Sequence, residues 1–129
     1  MIRERALKIV LVLVGLLFTA AVYPVAGDLW HGDVSDSGDT MMMSLYCTLG
    51  IFLLLAARKP SAHRSLIAFA AWSSFAHAVA MSGLGFQRQF VNDRVGFWIG
   101  SAVLAVIGVL LLALAPSKPS GELASATVA

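Results

Sequence analysis

Charge is what this chain has least of. Sixteen of its 129 residues are Asp, Glu, Lys or Arg, 12% of the chain, against about 25% in an ordinary soluble domain. So few ionic groups make a solvated globular surface hard to build. Cysteine is nearly absent too: Cys47 is the single one, which excludes an intrachain disulfide and a cysteine-built metal cage. The nine basic and seven acidic residues leave a net charge of +2, too small and too interrupted by apolar sequence for a nucleic-acid-binding face. What remains is apolar: 59% of the residues are hydrophobic and the mean hydropathy is +0.85. That excludes a disordered or collagenous chain, and the length fits one domain.

The placement of the charges says more than their number. Four stretches carry no Asp, Glu, Lys or Arg: Ile9 to Gly27, Thr40 to Ala57, Ser65 to Gln87 and Val95 to Ser117, of 19, 18, 23 and 23 residues. All sixteen charged side chains fall in the other 46 residues, the pattern a low-dielectric slab imposes. At about 1.5 Å of rise per residue, each stretch matches a hydrocarbon layer about 30 Å thick. A soluble alternative with four buried core helices fails, because no amphipathic elements remain to cover them. The sequence therefore predicts an all-α integral membrane four-helix bundle with antiparallel, up-down spans near 7–26, 40–57, 64–84 and 95–115. Residues 1–116 form one domain and 117–129 a disordered cytoplasmic tail, rich in Pro, Ser, Gly and Ala.

Basic residues set the orientation. Arg3, Arg5, Lys8, Arg58, Lys59, Arg64 and Lys118 flank one set of span ends, while Arg88 and Arg94 flank the other. The first connection carries Asp28, Asp33, Asp36 and Asp39 and no cation. Seven against two places both termini in the cytoplasm by the positive-inside rule, giving a multi-pass protein of the cell inner membrane. The first span also has the layout of a secretory signal peptide: Arg3, Arg5 and Lys8 lead an apolar run, and Val25-Ala26-Gly27 loosely matches a cleavage site. Its apolar core is long for that role, and cleavage would leave the other three spans oriented as before.

The connections suit a tight bundle. Pro60 disfavours helix at Lys59, Ser61 is placed to cap the third span, and five or six residues force antiparallel neighbours. The first connection, from about Gly27 to Asp39, reads as a mobile outer loop, with Asp39 or Thr40 capping the second span. In the third connection Phe86 and Phe90 are four residues apart and share a face, and Asn92 or Asp93 caps the fourth span. Trp30, Phe90 and Trp98 are placed for an outer aromatic belt.

Between helices in lipid, small residues favour contact because they let backbones approach. Ala70, Ser74, Ala78 and Ser82 recur every four residues on the third span, and Gly96 to Gly100 is a GxxxG match on the fourth, with Gly108 beyond. Close packing of the third and fourth spans follows. The same Gly96, Gly100 pair and the Ala70, Ser74, Ala78 strip are also the candidate surface for a homo-oligomer or a membrane-protein partner.

The run Gly38-Asp39-Thr40-Met41-Met42-Met43-Ser44-Leu45-Tyr46, the following Leu49 to Leu54, and the segment from His63 through Trp72-Ser73-Ser74 to His77 together resemble a family of small bacterial membrane proteins known only as a domain of unknown function. The likeness covers roughly the first 85 residues. It implies a multi-span inner-membrane protein without an assigned activity, and it transfers no catalytic or binding residue.

Chemistry must then come from polar groups inside the slab, which are costly there and by default functional candidates. His77 is the one ionisable side chain of the Asp, Glu, Lys, Arg and His set deep within a span. Counting inward from the outer ends, Met43 and Cys47 on the second span come level with Met81 and His77 on the third. Thioether, thiol and imidazole suit Cu(I) or another soft metal, with Met41, Met42 and His31 as entry ligands. Against this stands a plainer reading, a neutral His77 bonded to Tyr46, Thr48 or a backbone carbonyl, with methionine as gap filler and Cys47 as a small hydrophobe. A proton relay through His77 has no intramembrane carboxylate partner in the sequence.

Other chemistries lack parts. A bis-histidine haem needs a second intramembrane imidazole, and an intramembrane aspartyl protease needs two Asp within the slab. Ser73 or Ser74 lies within one turn of His77, where a serine hydroxyl more often bonds its own helix. The loop aspartates lack the EF-hand spacing. The sequence reading is thus a non-enzymatic accessory or interaction component with no catalytic residue and no cofactor, binding lipid bilayer and no nucleic acid. Its alternative is a small proton or soft-metal carrier or sensor centred on His77, Met43, Cys47 and Met81.

Overall fold

The computed structural model describes residues 2–32 and 37–117, so the expected tail and the centre of the first connection lie outside the described residues. The chain is all helical: α1 (Ile2–Thr19), α2 (Val22–His31), α3 (Ser37–Ala56), α4 (Arg64–Gly85) and α5 (Arg94–Leu114), with short 3-10 turns at Pro60–Ala62 and Arg88–Asp93. Among the described residues four helical stretches are long and apolar enough to cross a membrane: Ile2–His31, Ser37–Ala56, Arg64–Gly85 and Arg88–Leu114.

The first of these runs past its expected end, with a break. Pro24 has no N–H to give to Ala20, and its ring crowds that carbonyl. The Ala20 carbonyl is instead taken at 3.1 Å by the Tyr23 N–H, and Ala21 N–H turns to Phe18 at 3.1 Å, a tighter three-residue step. The helix resumes as α2 and stops at Gly32, whose φ of 66° is the left-handed conformation a helix end needs and glycine adopts freely. The predicted outer loop is thus shorter than expected. Gly27 to His31 is helical, and α3 already includes Ser37 to Asp39.

Two capping expectations also change. Ser61 sits inside the 3-10 turn, and His63, which precedes α4, makes no side-chain capping bond. Asp93 does occupy the position before α5, yet its side chain bonds no helical N–H.

The helices form two tight pairs, α1 with α3 and α4 with α5, which touch each other more sparsely. In the first pair the backbones meet at glycines. A Cβ on Gly50 would lie 2.6 Å from Thr19 N and 2.7 Å from the Gly15 carbonyl oxygen. Nothing larger than hydrogen fits that crossing. The second pair uses the small-residue strip as expected: Ala70, Ser74 and Ala78 are buried, and Gly108 faces the Phe75 ring and the Ala71 carbonyl. Ser101 donates to the Ala78 carbonyl at 2.9 Å and meets Ser82 at 2.6 Å, so the hydroxyls bridge the pair where no lipid can serve them. The GxxxG match divides in its roles. Gly100 lies beneath the Met81 thioether, whereas Gly96 has nothing within 4 Å.

The pairs join at the end that carries Arg3, Arg58 and Arg64. Leu7, Leu11, Val14 and Phe18 of α1, Leu53 of α3, Ile67, Ala70 and Ala71 of α4, and Ile107 and Leu111 of α5 share one buried cluster. Arg3 locks it by donating to the Ala113 and Ala115 carbonyls at 3.1 and 3.0 Å, and Arg64 donates to Pro116 at 3.1 Å. These acceptors are carbonyls that the end of α5 leaves without helical partners.

Candidate functional site

At the opposite end the pairs leave a cavity of about 540 Å³, lined from all four long helices. Its place follows from the sequence. Above the glycine crossing α1 bends at Ala20–Ala21, and α3 and α4 carry Met42, Met43, Ala80 and Met81, flexible or small side chains that do not fill the space between them. The wall is apolar, with Leu17, Phe18, Leu84, Phe97 and Leu104 among its members. Its polar groups are Tyr46, His77 and two carboxylates, Asp39 and Asp93.

Of the four residues singled out as soft-metal ligands, three meet here: Met43, His77 and Met81 line the cavity. Cys47 does not. Its sulfur faces the Thr19 carbonyl at 3.8 Å, in the α1–α3 contact, because one position on α3 separates it from Tyr46 and turns it by about 100°. Equal depth had suggested a shared site; rotation about the helix decides against it. Met42 lines the cavity as well. Met41 is exposed, and His31 bonds its own helix through the Gly27 carbonyl at 2.8 Å, so neither reaches this wall. Among the described residues no three of His, Cys, Asp and Glu gather as a metal-holding set.

His77 is half-buried and meets Tyr46 edge to face, ring centres 5.2 Å apart at 81°. Tyr46 in turn meets Phe18 at 4.9 Å and 77°. The contact with Tyr46 expected as a hydrogen bond is therefore an aromatic one, and the Thr48 hydroxyl is spent on Ser44 at 3.0 Å. Ser73 and Ser74 both donate to the Ala70 carbonyl, at 3.1 and 2.7 Å, which leaves neither hydroxyl aimed at His77.

The cavity mouth is framed by the third connection. Phe86 packs on Trp98 with ring centres 5.0 Å apart, and Phe90 on Phe97 at 5.4 Å, so both phenylalanines contact α5 while Phe86 stays exposed. Arg94 donates to the Gly85 carbonyl at 3.0 Å, closing the end of α4. On the other side Thr40 donates to Asp28 at 2.8 Å and ties α2 to α3. Sequence reasoning missed the cavity carboxylates because both stand near helix starts, where an aspartate has an ordinary reason to be.

Comparison with known families now bears on this geometry. A family of unknown function, DUF6632, matches residues 2–123. The chain belongs to this family. The match reaches well beyond the first 85 residues and takes in α5, so the cavity wall lies within the shared region on all four sides. No curated protein and no solved structure matches the chain. Membership of the family assigns no activity to the chain.

Proposed function

We propose that the chain is a multi-pass integral protein of a bacterial inner membrane, with both termini in the cytoplasm, acting without enzymatic chemistry as an accessory or interaction component. The observation that carries this reading is the outward face of every long helix. Leu13 and Leu17 on α1, Leu45 and Phe52 on α3, Phe69 and Val79 on α4, and Ile99 and Val106 on α5 are all exposed. Faces of this kind, all round a bundle, need an apolar solvent. The cationic side chains at the closed end support the orientation.

A partner chain, identical or not, packs on these outward faces. Of the residues first read as a partner surface, the Ala70, Ser74, Ala78 strip is buried against α5, Gly100 lies under Met81, and Gly96 lines the cavity, so a partner chain would meet the larger apolar side chains named above. The test is fractionation and topology. The protein should stay with membranes through an alkaline wash. Reporters fused after Ser61 and after Pro116 should share the cytoplasmic side, with one after Asn92 opposite. A chain soluble without detergent, or Ser61 and Pro116 on different sides, would overturn the reading.

One observation favours a second reading, a soft-metal or proton carrier: Met43, His77 and Met81 line the same cavity, with Asp39 also in its wall. On this reading Cys47 has no part. Copper bound by the detergent-purified protein, lost in His77→Ala and kept in Cys47→Ala, is its signature.

A further inference from the structure

The cavity has a property that the interaction role does not use. Among the described residues the charged ones in its wall are Asp39 and Asp93, both acidic, and no lysine or arginine lines it. Among the described residues neither carboxylate has an ion-pair partner: the ion pair present joins Lys8 and Glu4 at 3.3 Å. Asp93 bonds no helix N–H, although a capping aspartate would. Asp28 shows the contrast, since its carboxylate is held by Thr40.

Below the two carboxylates the wall is aromatic and aliphatic, and about 540 Å³ is the size of a small organic ligand's pocket. Phe18, Tyr46 and Phe97 supply ring surface, which attracts cations as well as apolar groups. A hard divalent metal would want more oxygen ligands than two carboxylates amid hydrocarbon offer. Both carboxylates are exposed at the rim, so they would repel an anion and add nothing to the binding of a neutral lipid tail, whereas a cation gains from both. From charge complementarity and shape together, we infer that the cavity binds a lipophilic organic cation, an aromatic or alkyl body carrying a quaternary or protonated nitrogen or a phosphonium. The body lies against Phe18, Tyr46, Leu84 and Phe97, and the positive centre lies toward Asp39 and Asp93. This goes beyond an interaction role, and the cavity does not depend on the bilayer assignment.

Tetraphenylphosphonium and tetraphenylborate share one shape and carry opposite charges, so the pair isolates the electrostatic part. Equilibrium dialysis of each against the full chain in a neutral detergent, corrected with protein-free micelles, should show one saturable phosphonium site per chain. That site should bind the phosphonium about tenfold or more tightly than the borate. Substituting both carboxylates (Asp39→Asn with Asp93→Asn) should weaken phosphonium binding about tenfold, the combined effect of two solvent-exposed charges, and should not weaken borate binding. Ala80→Phe, which narrows the cavity, should weaken both ions. Equal binding of the two ions by the unmodified protein, tighter binding of the borate, or absence of a saturable site overturns the inference without reliance on any variant. So does a correctly folded double Asn variant with unchanged phosphonium affinity. A protein found to dissolve without detergent would refute the membrane assignment, and the same dialysis in plain buffer would still decide the cavity.

Discussion

The two ends of the bundle are built on opposite rules. At the basic end Leu7, Leu11, Leu53, Ile67 and Leu111 are fully buried, and Arg3 and Arg64 hold the last carbonyls of α5. At the acidic end the same four helices line an open cavity about 540 Å³ in volume with an imidazole and two carboxylates in its wall. One end holds the helices together, and the other keeps space between them. A small chain with a modest core has to divide the tasks in this way, because each methylene left unpacked around a cavity forgoes contact energy that must be found elsewhere. The comparison predicts that equivalent substitutions at the two ends will have unequal costs.

The largest effect belongs to the glycine crossing on which the closed half rests. Gly50→Ala places a methyl group 2.6 Å from Thr19 N and 2.7 Å from the Gly15 carbonyl, both backbone atoms that no rotamer change moves aside. Forcing α1 and α3 apart should cost about 3 kcal/mol or more, the upper end of the usual range for overpacking, because the clash is with backbone. Thermal unfolding in detergent, followed by helical circular dichroism, checks it. A melting temperature unchanged by Gly50→Ala would mean that the pair is not held by close backbone approach.

That crossing also marks how far the sequence could be read. The four spans were legible because excluding charge from a slab is a one-dimensional constraint, visible in the spacing of sixteen residues. The α4–α5 contact was legible because Ala70, Ser74, Ala78 and Ser82 repeat at helical spacing. Gly15 and Gly50 were not, because neither belongs to a small-residue repeat and their meeting depends on how two helices are rotated and shifted relative to each other. Pro24 is a signal that was available for the break between α1 and α2, masked by an apolar run that continues on both sides of it. Depth was sufficient to bring Met43, His77 and Met81 to one cavity and insufficient for Cys47, since depth fixes height along an axis and leaves the angle around it open.

A second comparison sets leucines at the two ends against each other. Leu111 is fully buried in the closed cluster, whereas Leu84 lines the cavity and already has empty space on one side. Leu111→Ala should cost about 2 to 3 kcal/mol, the lower part of the range for opening a void in a packed core. Leu84→Ala should cost less than about 1 kcal/mol, because the lost side chain had fewer partners to lose. Equal melting shifts for the two variants would remove the distinction between a sealed end and an open one.

The smallest effect tests the wall of the open end. Gly96 and Gly100 look alike in sequence, one helical turn apart on α5, yet an added methyl group meets nothing within 4 Å at Gly96 and meets the Met81 Cε at 2.6 Å at Gly100. Met81 ends in a flexible thioether that can swing away, so Gly100→Ala should cost under about 1 kcal/mol and chiefly reshape the cavity wall. Gly96→Ala faces no such neighbour and should be neutral, or stabilising by up to about 1 kcal/mol, through the better helix propensity of alanine. That expectation holds for the isolated chain. Because Gly96 lines the cavity, Gly96→Leu should project into that space, leave the melting temperature of the monomer nearly unaltered and weaken phosphonium binding in the dialysis. A Gly96→Leu chain that binds the phosphonium as tightly as the unmodified protein would place the site elsewhere on the bundle.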